Sequence, residues 1–168
     1  MAANRIETLR NYFNAGDEPT EANFYEVMQT LANPYYNGLE AKTAGFTAAN
    51  GYIYTIIDLD GCAVVLPVPV VGDVMKFVFA DRTSNTHTIT ADATTTLFNG
   101  YAFLADIVDG TAEENTLFSP NGSTHDVITL DGSTTGKSGI VALNSTSTTR
   151  WFCEADLLCS GTAATPFS

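Results

Sequence analysis

The side chains able to do chemistry are few and thinly spread. Asp131-Gly132-Ser133-Thr134-Thr135-Gly136-Lys137-Ser138 has the composition of a phosphate-cradling loop. Such a loop needs four residues between its glycines and a helix behind them, so that successive backbone N–H groups converge on the phosphate. Here three residues intervene, and Gly139-Ile140-Val141 opens a strand-like run. The segment therefore reads as a hairpin loop of Gly, Ser and Thr carrying a solvated lysine. Asp58-Leu59-Asp60-Gly61 begins like a calcium loop, but it lacks the third acidic position before its glycine and the glutamate that closes such a loop. By composition it is a β-turn.

His87 and His125 are the two histidines, and neither has a cysteine or carboxylate at zinc-ligand spacing. Either one beside Ser84 or Ser123 would make a base and a nucleophile, yet no nucleophile elbow surrounds these serines. Both histidines are expected to be exposed and polar. Glu113-Glu114 and Glu154/Asp156 are carboxylate pairs of the kind that act as acid and base in glycosidases. The first pair falls in a polar loop and the second on the wet face of a strand. Cys153 and Cys159 lie on one apparent strand, about 20 Å apart at 3.3 Å per residue, too far to bridge. With Cys62 they read as buried thiols. Asn121-Gly-Ser and Asn144-Ser-Thr fit the glycosylation pattern but stand in a chain without a secretory signal. No catalytic constellation stands out, so no enzymatic activity and no cofactor or metal is expected.

The elements around these residues follow from composition and period. A chain of 168 residues with 45% hydrophobic and 11% aromatic residues builds one ordinary core. Its net charge of −12 repels phosphate backbones, and the seven cations are scattered, so nucleic acid is set aside. The longest apolar run, Cys62 to Val71, is interrupted by Pro67 and Pro69 and falls far short of the roughly 20 residues a membrane helix needs. No membrane partner is expected.

The chain divides near residue 40. Ile6, Leu9 and Phe13 fall at helical spacing before Gly16, and Phe24, Val27, Met28 and Leu31 form a second stripe after the Thr20 cap. Residues 1–40 read as a short N-terminal helical arm whose stripes pack on the same subunit or dock on another. Residues 41–168 change to period two, with Asx-Gly turn signals at Asn50-Gly51, Asp60-Gly61, Asn99-Gly100, Asp109-Gly110, Asn121-Gly122 and Asp131-Gly132. Between them eight runs read as strands: 52–57, 63–66, 74–80, 86–91, 102–108, 127–130, 140–143 and 151–158. Without helix-period segments between them, a parallel α/β sheet is not expected. The fold expected is mainly β, an antiparallel β-sandwich or jelly-roll-like domain behind the helical arm.

Three stretches carry a resemblance. Leu9-Arg-Asn-Tyr-Phe13-Asn-Ala-Gly16-Asp17-Glu-Pro19-Thr20-Glu-Ala-Asn23-Phe24 resembles the N-terminal signature of many tailed-phage virion proteins. The centre, with Val65-Leu66-Pro67, Gly72-Asp73, Lys76-Phe77-Val78-Phe79 and Thr88-Ile89-Thr90-Ala91-Asp92, is similar to β-rich structural proteins of marine and cyanobacterial phages. So is the tail from Trp151-Phe152-Cys153-Glu154 to Thr165-Pro166-Phe167, although Cys153 and Ala155 depart from that family's usual form. The resemblance implies a virion structural protein, made in the host cytoplasm. The nearest role is a capsid decoration, or cement, protein bound outside the major capsid protein lattice, commonly as a homotrimer. A tail or tail-fibre component that attaches to host-surface carbohydrate is the alternative, with Tyr35, Tyr36, Tyr52 and Tyr101 as sugar-stacking candidates. As contacts to capsid or to a second subunit, Leu9, Phe13, Phe24, Met28, Pro166 and Phe167 are the candidates, with packing inside the same chain the competing role.

Overall fold

The computed structural model describes residues 38–57, 61–79, 85–92, 95–106 and 115–168. The helical arm, with Leu9, Phe13, Phe24 and Met28, lies outside the described residues, as do Asp58, Asp60, Ser84, Asp109-Gly110 and Glu113-Glu114. Eleven strands follow one another: β1 (Gly38–Lys42), β2 (Phe46–Thr47), β3 (Tyr52–Ile56), β4 (Ala63–Val65), β5 (Val74–Phe79), β6 (His87–Thr90), β7 (Leu97–Asp106), β8 (Asn115–Phe118), β9 (Val127–Leu130), β10 (Ser138–Ser147) and β11 (Arg150–Cys159). Among the described residues there is no helix. The chain is mainly β, and β1 already begins at Gly38.

The strands form a seven-stranded sheet in the order β1-β3-β5-β10-β11-β7-β8 and a four-stranded sheet in the order β2-β4-β6-β9. From β1 to β6 the chain alternates between the two sheets at every step, so that β1, β3 and β5 run parallel in one and β2, β4 and β6 run parallel in the other. Later pairings are mostly antiparallel, with β10 next to both β5 and β11, β7 next to β8, and β6 next to β9. The pair β7 and β11 is parallel again. The sheets are therefore mixed, which corrects the expectation of antiparallel pairing. Parallel neighbours need a long crossover. In this chain a strand of the opposite sheet provides it, so the lack of intervening helices does not exclude parallel pairing.

Period-two sequence sets the inner faces. Along β11 Trp151, Cys153, Ala155, Leu157 and Cys159 are buried, and β5 buries Met75, Phe77 and Phe79. Val64, Ile89, Ile128 and Leu130 of the smaller sheet join them in one hydrophobic cluster. Each such side chain, fully buried, contributes about 1.5–3 kcal/mol.

Asn50-Gly51, Asn121-Gly122 and Asp131-Gly132 lie at turns or bends between strands, as their composition suggests. Asn99-Gly100 does not. It sits inside β7, where Gly100 has φ 104° and a Cβ would stand 2.0 Å from the Cys153 carbonyl oxygen. Close approach of the β7 and β11 backbones demands this glycine, and a sequence reading mistakes it for a turn.

The C-terminal segment completes the smaller sheet. Phe167 bridges antiparallel to Ile128 on the outer edge of β9. Thr129 N donates to Pro166 O at 2.8 Å, Val127 N to Ser168 O at 3.0 Å and Ser168 N to Val127 O at 3.0 Å. An edge that would otherwise present unpaired N–H and C=O groups is thereby covered.

Candidate functional site

Among the described residues, His87, His125 and Asp131 are engaged in holding the fold. His87 points inward from β6 and is buried, which corrects the expectation of an exposed ring. Its Nδ1 accepts the Cys62 N–H at 3.0 Å and its ring packs against Phe79 at 5.4 Å. Placement on the inward phase of the His87–Thr90 alternation explains the burial. His125 is half-buried, accepts the Asn121 N–H at Nδ1 (3.1 Å) and stacks on Phe167 with centroids 6.4 Å apart. Ser123 donates its N–H to Asn121 Oδ1, which also accepts from Thr124 N. Asn121 is thus the acceptor of a tight turn.

All three cysteines are buried and none forms a disulfide. The Cys62 thiol donates to Ala44 O at 3.2 Å. Burial, helped by the nearby Glu154 charge, pushes the Cys153 thiol up to about 12, and burial also raises Cys159. Thiols of this kind are poor nucleophiles at neutral pH. Among the described residues no group of three His, Cys, Asp or Glu side chains converges on a metal-sized space.

The loop from Asp131 to Gly136, whose sequence suggests phosphate, folds around its own carboxylate. Asp131 Oδ1 accepts the N–H groups of Ser133 (2.8 Å) and Thr135 (3.0 Å), and Oδ2 accepts the Thr134 hydroxyl (2.7 Å). Burial alone would raise this carboxyl, but these hydrogen bonds outweigh it and lower it from 3.8 to about 2. The donors that would meet a phosphate are spent on Asp131. The same loop braces the C-terminal segment, since Ser160 N donates to Ser133 O and Ala164 N to Thr134 O, both at 3.0 Å.

Of the expected contact residues, Pro166 and Phe167 are placed by the structure in this chain's own interior. Phe167 is 2% exposed and belongs to the hydrophobic cluster. Its side chain is not offered to a partner, because the bridge to Ile128 turns it inward. Among the tyrosines, Tyr54 is buried with its hydroxyl at the backbone of Ala49, and Tyr52 stacks on it at 5.8 Å. Tyr101 stands 36% exposed.

Two apolar surfaces stand out among the described residues. One is an open groove of about 640 Å³ lined by Ala48, Ala49, Pro67, Val68, Val70 and Val71. Its polar lining residues are turned to the fold: Asn50 Oδ1 accepts Val74 N, and Asp73 Oδ2 accepts Val70 N. The other is the outer face of the seven-stranded sheet, where Tyr101 (36%), Phe103 (37%), Leu117 (63%), Ile140 (37%) and Leu158 (38%) are exposed. Register places Ile140, Asp156, Phe103 and Leu117 in one row across β10, β11, β7 and β8. The neighbouring row holds Lys76, Ala142, Glu154 and Tyr101. A broad face of this kind suits a protein surface better than a small substrate, which requires a concave site. Sequence reading missed it because the outward positions were assigned to water, although Phe103, Ile140 and Leu158 all stand at the outward phase of their strands. No family model, curated protein or solved structure matches the chain.

Proposed function

We propose that this chain is a virion structural protein of a tailed phage. In this reading it is a decoration or cement protein that binds the outer surface of the major capsid lattice and stabilises the head. The reading rests on the resemblance of the three stretches described above. The observation that carries it is the open apolar groove, where Val68, Val70 and Val71 stand 62–66% exposed beside Pro67. The role is non-enzymatic, and the two sheets act as a β-sandwich carrying the residues before β1 as a helical docking arm. Many identical contacts repeated over a lattice add through avidity, so each can be weak.

The test is the copy number of this chain in purified particles relative to the major capsid protein, by quantitative peptide mass spectrometry. A ratio comparable to the capsid protein is expected. Absence from the particle refutes the reading.

One observation favours a second reading, a tail or tail-fibre component that attaches to carbohydrate. Tyr101 is exposed and pairs in register with Glu154, so an aromatic face and a carboxylate acceptor lie side by side, the two groups a sugar ring uses. A handful of copies per particle, with glycan-array binding lost in Tyr101→Ala, would favour this reading over decoration.

A further inference from the structure

We propose that the outer face of the seven-stranded sheet is the contact between two copies of this chain, paired face to face about a two-fold axis that lies along β10. The inference does not depend on a capsid role. It starts from the order of the strands: β10 is the fourth of seven, with β5 on one side and β11 on the other. A two-fold axis along the middle strand lays β5 of one copy on β11 of the other, β3 on β7 and β1 on β8. Lys76, Ala142 and Glu154 occupy one row across β5, β10 and β11. Lys76 of each copy therefore stands over Glu154 of the other, and the pair occurs twice in the interface. Ile140 lies on the axis and meets its own counterpart, while Tyr101 falls over Ile53, which pairs with Lys76 in the same row.

Twisted sheets pack with their strands at about 30°, which displaces facing residues one strand from the axis by about 2.4 Å, well within the reach of a lysine side chain. Asp156, the next outward residue on β11, lies about 6.8 Å further along the strand, so Glu154 is the nearer partner. Among the described residues neither Lys76 nor Glu154 has an ion-pair partner. Ala142 between them is small, so nothing on β10 separates the opposed charges.

Charge and area both select a second copy as the occupant. A chain of net charge −12 repels its copies over most of its surface, and this row instead places a cation on one copy opposite an anion on the other. Seven strands at about 4.8 Å spacing make a face roughly 30 Å wide, with ten-residue central strands about 33 Å long, enough for the ~800 Å² per partner of a stable interface. An isologous contact of this kind uses one patch on both subunits, whereas a trimer uses two different ones.

The experiment is sedimentation equilibrium on the full chain, on Lys76→Glu, on Glu154→Lys and on an equimolar mixture of the two variants. Circular dichroism melting of each verifies that these surface changes leave the fold intact. The wild type is expected to be dimeric, and each single reversal should weaken self-association roughly 10- to 100-fold by opposing like charges. Mixing the variants restores opposite charges at both contacts, so a heterodimer should form from two chains that are each monomeric. A monomeric or trimeric wild type, single variants that remain dimeric, or a mixture that stays monomeric each overturns the proposal.

Discussion

Replacing Phe167 by alanine separates an internal role from an anchoring one. In the structure the ring is 2% exposed, stacks on His125 at 6.4 Å and belongs to a segment held on β9 by the bridge to Ile128. Removing a buried phenyl ring costs about 3–5 kcal/mol, transfer and residual cavity included. The lower end applies here, about 3 kcal/mol, because a segment held along one sheet edge can settle partly into the space. With a urea dependence of about 2 kcal/mol per molar, the unfolding midpoint should fall by ~1.5 M. The assay is equilibrium urea unfolding followed by fluorescence, for which the sequence supplies a single tryptophan, the buried Trp151. A ring reserved for a partner would leave the isolated chain's stability untouched. A midpoint shift below about 0.5 M would falsify the internal assignment.

Other outcomes follow from single groups. Asp131 has a folded-state pKa of about 2 against 3.8, so its stabilisation is complete above pH 4 and is lost as pH falls through 2. At 1.36 kcal/mol per pH unit the ceiling is about 2.4 kcal/mol, and solvent screening at this partly exposed carboxylate reduces it to about 1. The gap in urea midpoint between wild type and Asp131→Asn should be clearly smaller at pH 2.5 than at pH 5, and an equal gap at both refutes the hydrogen-bond account. Gly100→Ala would bring its Cβ against the Cys153 carbonyl oxygen, whereas Gly72→Ala, also at positive φ, meets nothing within 4 Å. The first should cost more than about 3 kcal/mol or abolish folding, the second about 1, and similar costs would show that strain rather than contact governs both. The three buried thiols should resist a disulfide reagent at pH 8 in the folded protein and all react in guanidinium, so rapid labelling of the native chain contradicts their burial.

Much of the fold is legible in the sequence because burial on one side of a strand imposes period two. The inward run of Trp151, Cys153, Ala155, Leu157 and Cys159 is visible by inspection, and all eight expected strands have counterparts in the structure. The elements missed are β1, β2 and β8. Glu40, Ala41 and Thr47 are exposed, β2 has two residues, and β8 combines Asn115 and Thr116 with an exposed Leu117, so none shows an apolar alternation. Each lies at the edge of its sheet, where half the packing that writes the pattern is absent. Strand direction was not legible either. An apolar alternation reads the same in parallel and antiparallel pairs, and only the destination of each crossover decides between them. His87 was misjudged because its environment depends on a residue 25 positions earlier, Cys62, whose N–H it accepts. The outer face escaped notice for a related reason: Phe103, Ile140 and Leu158 become neighbours only through pairings distant in sequence.

The place of β10 and β11 in the larger sheet bears on how the chain reaches its native state. The two strands form a hairpin inserted between β5 and β7, pairing Phe79 with Gly139 and Leu97 with Arg150, separations of more than fifty residues. The windings from β1 to β6 close over far shorter loops, pairing Gly38 with Tyr52 and Phe46 with Val64. Loop-closure entropy makes the near pairings fast and the distant ones slow, so the hairpin arrives after its neighbours. Until it does, β5 and β7 each present an open edge bearing Met75, Phe77 and Phe98 to other chains. Synthesis at high copy number would make that interval the step most exposed to aggregation, and a faster-closing β10–β11 turn at Thr148-Thr149 the most direct way to shorten it.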